Sequence, residues 1–467
     1  MRKLIFTIVF IVTSLFSFAQ TIEGNWNGLL EVQGQKMPLV FHIENKEGKL
    51  VTAMDSPSQK AFGIPVDITL FEANTLTVEM PKFKIKYTGK PNVDFTEVEG
   101  IFSQNGAEFP MKLSRKAIEP VALVRPQTPK GPFAYKQEEV TFSNTKDNIT
   151  LAGTLTLPDT KGKFPVVILI SGSGPQDRNE ELFEHKPFAV IADDLTKKGI
   201  AVLRFDDRGI GKSTGDFQNS TTADFANDVL AAIAFLKTRP EINAKKIGLI
   251  GHSEGGMIAP MVAAGSKDVK FIVLMAGPGT PIDELLIDQS IRYSELAGAD
   301  KESTEANAKM QKDIYAFIKN YKSDHLDTDL TAYIKGEMAK FPADMKPQTE
   351  AELNQAVDGQ VKMVTGKWFL YFLKYIPAEN LSKLKCGVLA MNGALDFQVP
   401  AKSNLKAIEN ALIAGKNKDF KIVELPGLNH LFQEATTGSF EEYSKIEQTI
   451  SPKALSTISD WILLQTK

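Results

Sequence analysis

One serine, one histidine and one aspartate in this 467-residue chain stand where they could divide the work of nucleophilic acyl transfer. Ser253 is the centre of Gly-His-Ser-Glu-Gly (251–255), with the apolar run KIGLIG before it and the helix-like GGMIAPMVAAG after it. In a sharp strand-to-helix turn the residues two before and two after the serine collide unless they are tiny. Gly251 and Gly255 meet that demand and let the hydroxyl stand clear. Backbone strain of this kind costs roughly 1–3 kcal/mol and persists where it aims a functional group. A hydroxyl is a weak nucleophile without a base and an acid that orients the base. His430, in LPGLNHLFQ after the strand-like FKIVELPG, is the histidine placed to be that base. Asp396, in the loop of LAMNGALDFQVP, is placed to be the acid.

The other four histidines fit the role less well. His42 lies in an alternating strand and reads as surface or packing; His252, beside Ser253, points away from it in such a turn and reads as packing. His185 and His325 fall in polar stretches and read as solvated. The order nucleophile, acid, base along the chain is the one a G-x-S-x-G turn on a parallel sheet uses. The tetrahedral intermediate also needs two amide donors for its oxyanion. The N–H of Glu254, next after the nucleophile, supplies one. The other is expected from SGSGPQDRN (171–179), where Gly172 and Gly174 free the backbone; the N–H of Ser173 is the first candidate and that of Gly174 the second.

Those residues need a scaffold, and the second part of the chain spells one. FPVVILIS, GIAVLRFD, KIGLIG, VKFIVLMAG and CGVLAMNG are apolar on both faces, as central strands of a covered parallel sheet are. Helical patterns lie between most of them, such as 222–238 with Phe225, Val229, Leu230, Ile233 and Leu236. Alternating strands and helices predict an α/β fold with a mostly parallel sheet over 136–280 and 385–467. The interval 281–384 is far longer than a crossover needs, and its helical pattern predicts an insertion that caps the site. Tyr293, Tyr315, Phe317, Trp368, Phe369 and Tyr371 are candidates for a pocket wall there, although aromatic stripes on helices more often pack among themselves.

The first part is different. Residues 20–115 carry short, partly alternating runs with turn punctuation and an Asn105-Gly106 hairpin signal, predicting a small all-β barrel or sandwich. Residues 116–135 hold four prolines and no period and read as a semi-rigid linker, so the catalytic candidates are expected to function without anything before about Pro132. Residues 1–19 have a positive start, an apolar run and small residues at Ser17 and Ala19, the pattern of a signal peptide, with export to the periplasm or outside the cell as the expectation. Cys386 is the single cysteine, so no internal disulfide can form. A net charge of −3 without a Lys/Arg cluster argues against nucleic acid and against an anionic membrane as partner. No His, Cys, Asp or Glu cluster has metal-ligand spacing, and no cofactor is implied.

GHSEGG, SGSGPQDRN, RFDDRGIGKSTG and NGALDFQVP, in that order, resemble motifs of the α/β-hydrolase superfamily, in its branch of bacterial esterases and serine-peptidase-like proteins. The resemblance covers 136–467, and residues 21–115 resemble the extra β domain that precedes some secreted esterases. Relatives usually carry histidine where Ser171 stands. The resemblance implies a cofactor-free carboxylesterase acting on a small-molecule ester, with Asp206, Asp207 and Arg208 holding loops rather than reacting. Two other readings remain. An aminopeptidase or dipeptidyl peptidase would use the same three residues and an acidic clamp for a free amino terminus, for which Asp283, Glu284 and Asp288 are the candidates. A protein that binds carbohydrate or lipid through its β domain would carry the hydrolase as a relic.

Overall fold

The computed structural model describes residues 21–32, 35–57, 61–104, 107–118, 124–340 and 349–467. The signal-peptide segment, the Asn105-Gly106 pair and residues 119–123 of the proline-rich stretch lie outside them. The chain forms two compact units, Met1–Ala122 and Leu123–Lys467.

The first unit is one antiparallel sheet. Its strands are β1 (Gly24–Val32), β2 (Gln35–Lys46), β3 (Lys49–Ser56), β4 (Ala61–Pro65), β5 (Ile68–Glu72), β6 (Thr75–Met80), β7 (Ile85–Pro91), β8 (Glu97–Gln104) and β9 (Ala107–Ser114). They run in the order β4-β3-β2-β1-β9-β8-β7-β6-β5. Gln104 faces Ala107 across the expected hairpin. The barrel-or-sandwich alternative resolves to a single curled sheet, a half-barrel. Its curl brings the Thr69 hydroxyl of β5 within 2.8 Å of that of Thr52 on β3. Period-two alternation explains the curl's interior: Leu76, Val78 and Met80 on β6, and Ile85 and Tyr87 on β7, turn inward with Trp26, Phe41 and Phe102. His42 bonds Asn25 and Asp55 on the two neighbouring strands, at 2.9 and 2.8 Å, and so serves the sheet.

The second unit holds the eight-stranded sheet β10-β11-β13-β12-β14-β15-β16-β17. The members are β10 (Tyr135–Asn144), β11 (Ile149–Pro158), β12 (Phe164–Ile170), β13 (Ala201–Phe205), β14 (Ile242–His252), β15 (Val269–Met275), β16 (Gly387–Gly393) and β17 (Phe420–Leu425). β10 and β11 pair antiparallel with their neighbours and the rest run parallel. The doubly apolar runs follow from burial on both faces. Val166, Ile168 and Ile170 pack under α2 (Thr222–Thr238), α3 (Gly255–Gly265) and α10 (Ala401–Ala414). Val167 and Leu169 pack under α1 (Pro187–Lys197) and α12 (Pro452–Gln465), the helix that follows the short α11 (Phe440–Lys445).

Between β15 and β16 lie α4 (Ile282–Leu296), α5 (Lys301–Asn320), α6 (Leu326–Met338), α7 (Glu350–Val364), α8 (Lys367–Leu373) and α9 (Ala378–Leu381). These helices have a core of their own, built on Ile314, Ile318, Leu330, Ile334, Val357, Val361 and Leu373. A small separate cluster, including Met257, Ile282, Leu285, Phe372 and Tyr375, joins them to α3.

Candidate active site

The chain turns from β14 into α3 at Ser253, whose φ is +53°, a conformation unfavourable for a residue with a Cβ. Neighbouring backbone explains the glycines. A Cβ on Gly251 would stand 2.0 Å from the Gly255 carbonyl oxygen, and one on Gly255 would stand 2.2 Å from the carbonyl oxygen of Ile170. The Ser253 N–H donates to the Met275 carbonyl on the adjoining strand at 2.9 Å, so the sheet itself sets the position of the turn.

His430 and Asp396 come together from the loops after β17 and β16. Asp396 Oδ2 is 2.8 Å from His430 Nδ1, with both residues buried. Asp396 Oδ1 accepts the N–H groups of Gln398 at 2.8 Å and Val399 at 2.9 Å. A carboxylate with all its donors on one side has one free task, which is to hold the proton on Nδ1. That leaves the Nε2 lone pair available to a hydroxyl. Ser253 and His430 line the same cavity, of about 400 Å³.

The glycine loop after β12 closes the other side. Gly172 runs close to Ser253, and its N–H is taken by Glu180 Oε1 at 2.7 Å. Among the described residues neither the Ser173 nor the Glu254 N–H donates to another protein group, which leaves both for an oxyanion. Asp207 ties the two ends of this loop: the Ser171 hydroxyl donates to Oδ1 at 2.8 Å and the Gln176 N–H to Oδ2 at 2.9 Å. Arg178 clamps Asp206 with two bonds, and Arg208 is held by Asp228 and Asp147, so the DDR run does hold loops.

Three side chains here were not singled out from the sequence. The Glu254 carboxyl is buried under α8, where Oε1 accepts the Thr222 hydroxyl at 2.6 Å and the Trp368 indole N–H at 2.9 Å. The Ser173 hydroxyl reaches the same carboxyl, so one group links the glycine loop, the turn and the cap. Burial pushes this carboxyl above its ordinary range, against the pull of those three donors. Glu180 bonds His252 as well as Gly172. Phe372 stacks on Trp368 at 4.8 Å and shares the cavity wall with it.

His185 is a correction. It is buried, with Nδ1 3.0 Å from the Thr449 hydroxyl and Nε2 3.0 Å from the Tyr443 carbonyl. Burial, helped by the charge of Arg125, pushes it down to about 4, so it packs neutral in the cavity wall. The proline-rich stretch also departs from a linker in its second half. Arg125 donates to the carbonyls of Phe183, Ser444 and Ile446, and Gln127 bonds Ile450, all within the catalytic unit. Removal of everything before Pro132 would therefore strip part of that unit's own wall.

Asp207 carries a pH expectation. Burial first, then the nearby Glu254 and Glu180, push its carboxyl up to about 8, against the Ser171 and Gln176 bonds. A carboxyl raised on folding contributes stability that is complete below its unfolded pKa, near 3.9, and is lost as pH rises through the folded value. Melting temperature should decline between about pH 4 and pH 8 from this residue. Asp207→Asn, followed by calorimetry across that range, should flatten the decline; an unchanged slope would remove Asp207 as its cause.

Among the described residues no group of three or more His, Cys, Asp or Glu side chains is placed to hold a metal ion. A mostly parallel sheet covered by helices on both faces, with a tight serine turn, a glycine loop and a buried Asp–His pair at its carboxyl edge, is the architecture of an α/β hydrolase. Within that class the chain belongs to the X-Pro dipeptidyl-peptidase family (S15), whose profile matches residues 147–412. The esterase EstD of Thermotoga maritima is 25% identical over 333 residues, covering 71% of this chain and 68% of that protein. The thiohydrolase apmlB of Arthrinium phaeospermum is 27% identical over 230 residues, 49% of this chain and 67% of its own length. The solved α/β hydrolase GrgF from a Penicillium species superposes on 71% of this chain and 99% of its own, with a TM-score of 0.42 at 18% identity.

Proposed function

We propose that the protein hydrolyses neutral carboxylic esters through an acyl-enzyme on Ser253. His430 takes the serine proton as the hydroxyl attacks the ester carbonyl, and Asp396 holds the imidazole. The N–H groups of Ser173 and Glu254 receive the oxyanion. The tetrahedral intermediate collapses, His430 returns the proton to the leaving alcohol, and water repeats the cycle to free the acid. The observation that carries this reading is the buried Asp396–His430 pair opening onto the cavity that Ser253 lines.

The walls of that cavity favour an uncharged, largely apolar acyl or aryl group. Leu285 and Leu286 of α4, Trp368 and Phe372 of α8, Val399 and Leu431 supply them. A peptidase of the family's namesake kind would need an anion for the substrate's amino terminus. Asp283 is paired with Lys319 at 2.7 Å, and Glu284 and Asp288 are exposed, while the cavity takes Leu285, Leu286 and Gln289 from the same helix. The cavity's own carboxyls, Glu180 and Glu254, are each engaged by protein donors. Of the six aromatic candidates for the wall, Trp368 alone lines the cavity; Tyr315 and Phe369 belong to the cap core, and Tyr293 is exposed.

Rates on p-nitrophenyl esters of graded chain length, measured beside X-Pro nitroanilides, test the assignment. Esters should be cleaved far faster, and Trp368→Ala should shift the preference among acyl chains by roughly 1–3 kcal/mol. Faster cleavage of the nitroanilides would overturn the ester reading in favour of the peptidase.

A further inference from the structure

The reaction just described leaves His252 without a role, although it is covalently next to Ser253 and buried at 6% exposure. Its two ring nitrogens face two acceptors. Nδ1 lies 2.9 Å from Glu180 Oε1, and Nε2 lies 3.0 Å from the backbone carbonyl oxygen of His430. A neutral imidazole carries a single N–H, so one of these contacts would set lone pair against lone pair. Satisfying both requires two protons between the ring and its partners. Glu180 Oε1 meanwhile accepts the Gly172 N–H at 2.7 Å, the behaviour of a carboxylate oxygen rather than of an acid hydroxyl.

We propose that His252 is a standing imidazolium paired with the Glu180 carboxylate, and that this buried ion pair positions the catalytic groups by tying together the three loops that carry them. The carboxylate holds the glycine loop through Gly172, the ring holds the base loop through the His430 carbonyl, and both are anchored one residue from Ser253. The proposal rests on Ser253 and His430 being nucleophile and base.

The surroundings fit a charged ring. The groups facing His252 are Glu180, the His430 ring at 4.8 Å between centroids, the Phe432 ring at 6.4 Å, and the Asp396 carboxylate beyond His430. Burial works against the charge, and the bonded Glu180, with the His430 carbonyl and Asp396, outweighs it and holds His252 above the usual histidine range. When His430 accepts the serine proton, two imidazoliums lie side by side. Each has its own carboxylate, so neither charge is left uncompensated away from water. His252 and Glu180 act through His430 and the glycine loop, which makes them positioning residues.

Glu180→Gln probes the arrangement sharply, because one amide atom must replace an oxygen with two donors. If oxygen takes that place, the ring of His252 is left neutral and its Nε2 lone pair meets the His430 carbonyl; if nitrogen takes it, the Gly172 N–H loses its acceptor. Glutamine matches glutamate in size, so the cavity wall, which Glu180 shares with the apolar residues of α4 and α8, keeps its shape in either case. Turnover should therefore fall by roughly 10²-fold, with KM changed by less than about threefold, as expected when reacting groups are misplaced but binding is kept. Nitrogen-15 histidine NMR of the full chain gives an independent reading, with the His252 signals identified by their loss in His252→Gln. Both ring nitrogens should be protonated at neutral pH, above the ordinary histidine range. A single protonated nitrogen at neutral pH would overturn the imidazolium, and wild-type turnover in Glu180→Gln would overturn the positioning role. Should Glu180→Gln not fold, the NMR result on the wild type and turnover in His252→Gln decide the matter in the same way. Ser253→Ala should leave the His252 signals in place. Retained ester hydrolysis in that variant would remove the nucleophile assignment while the ion pair still stood or fell on the spectrum.

Discussion

Ser253→Ala is expected to remove ester hydrolysis and fluorophosphonate labelling together while leaving the fold intact. Loss of a nucleophile in such a constellation costs on the order of 10⁶-fold in turnover. The fold should survive because the turn is set by groups the substitution keeps: the backbone bond from residue 253 to Met275 and the glycines packed against Ile170 and each other. The Cβ at φ +53° is present in both side chains, so no new strain arises. Turnover measured by p-nitrophenyl ester hydrolysis within roughly tenfold of wild type, against that expectation, would move the nucleophile elsewhere.

Asp396→Asn should be nearly as severe, and for a reason the geometry supplies. Oδ1 accepts two backbone N–H groups, from Gln398 and Val399, and Oδ2 meets His430 Nδ1. An asparagine will keep its oxygen on the two N–H groups, which forces its NH₂ toward Nδ1. The imidazole must then carry its proton on Nε2, where it can no longer take one from Ser253. The loss should approach the order of 10⁴-fold, with little change in stability. Circular dichroism and turnover measured on the same sample check it; a mild loss of activity would show that Asp396 does not set the tautomer.

Much of this was legible in the letters. Ser253, Asp396 and His430 each close a strand-like run at the sheet's carboxyl edge, and the geometry of a parallel sheet brings such positions together however far apart they lie in the chain. The β domain's alternation likewise gave its strands away, although alternation alone does not say whether a sheet curls on itself or stacks on another. What escaped was what depends on distant partners. Glu180 and Glu181 are adjacent and chemically identical, and only a backbone with φ +52° at Glu180 turns the first of them inward to His252, 72 positions away. His185 sits among polar neighbours in sequence and becomes buried only because Tyr443 and Thr449 arrive from more than 250 residues on. Arg125 looked like part of a proline-rich connector because the carbonyls that bind it belong to residues 183 and 444–446. The phase of α4 was equally hidden: which of Asp283, Glu284, Leu285, Leu286 and Asp288 meets the cavity is decided by how the cap docks.

The separate core of the cap has a consequence for how such an enzyme can change. Losing a large side chain from that core costs about 2–5 kcal/mol, and the damage is confined to contacts that the sheet does not share. A lineage can therefore rebuild the cap, residue by residue or wholesale, while the strands go on delivering Ser253, Asp396 and His430 to the same places. Trp368 is the toll point in that freedom. Its indole N–H reaches the Glu254 carboxyl beside the nucleophile, so any replacement cap inherits one buried acid that it must either satisfy or learn to leave neutral.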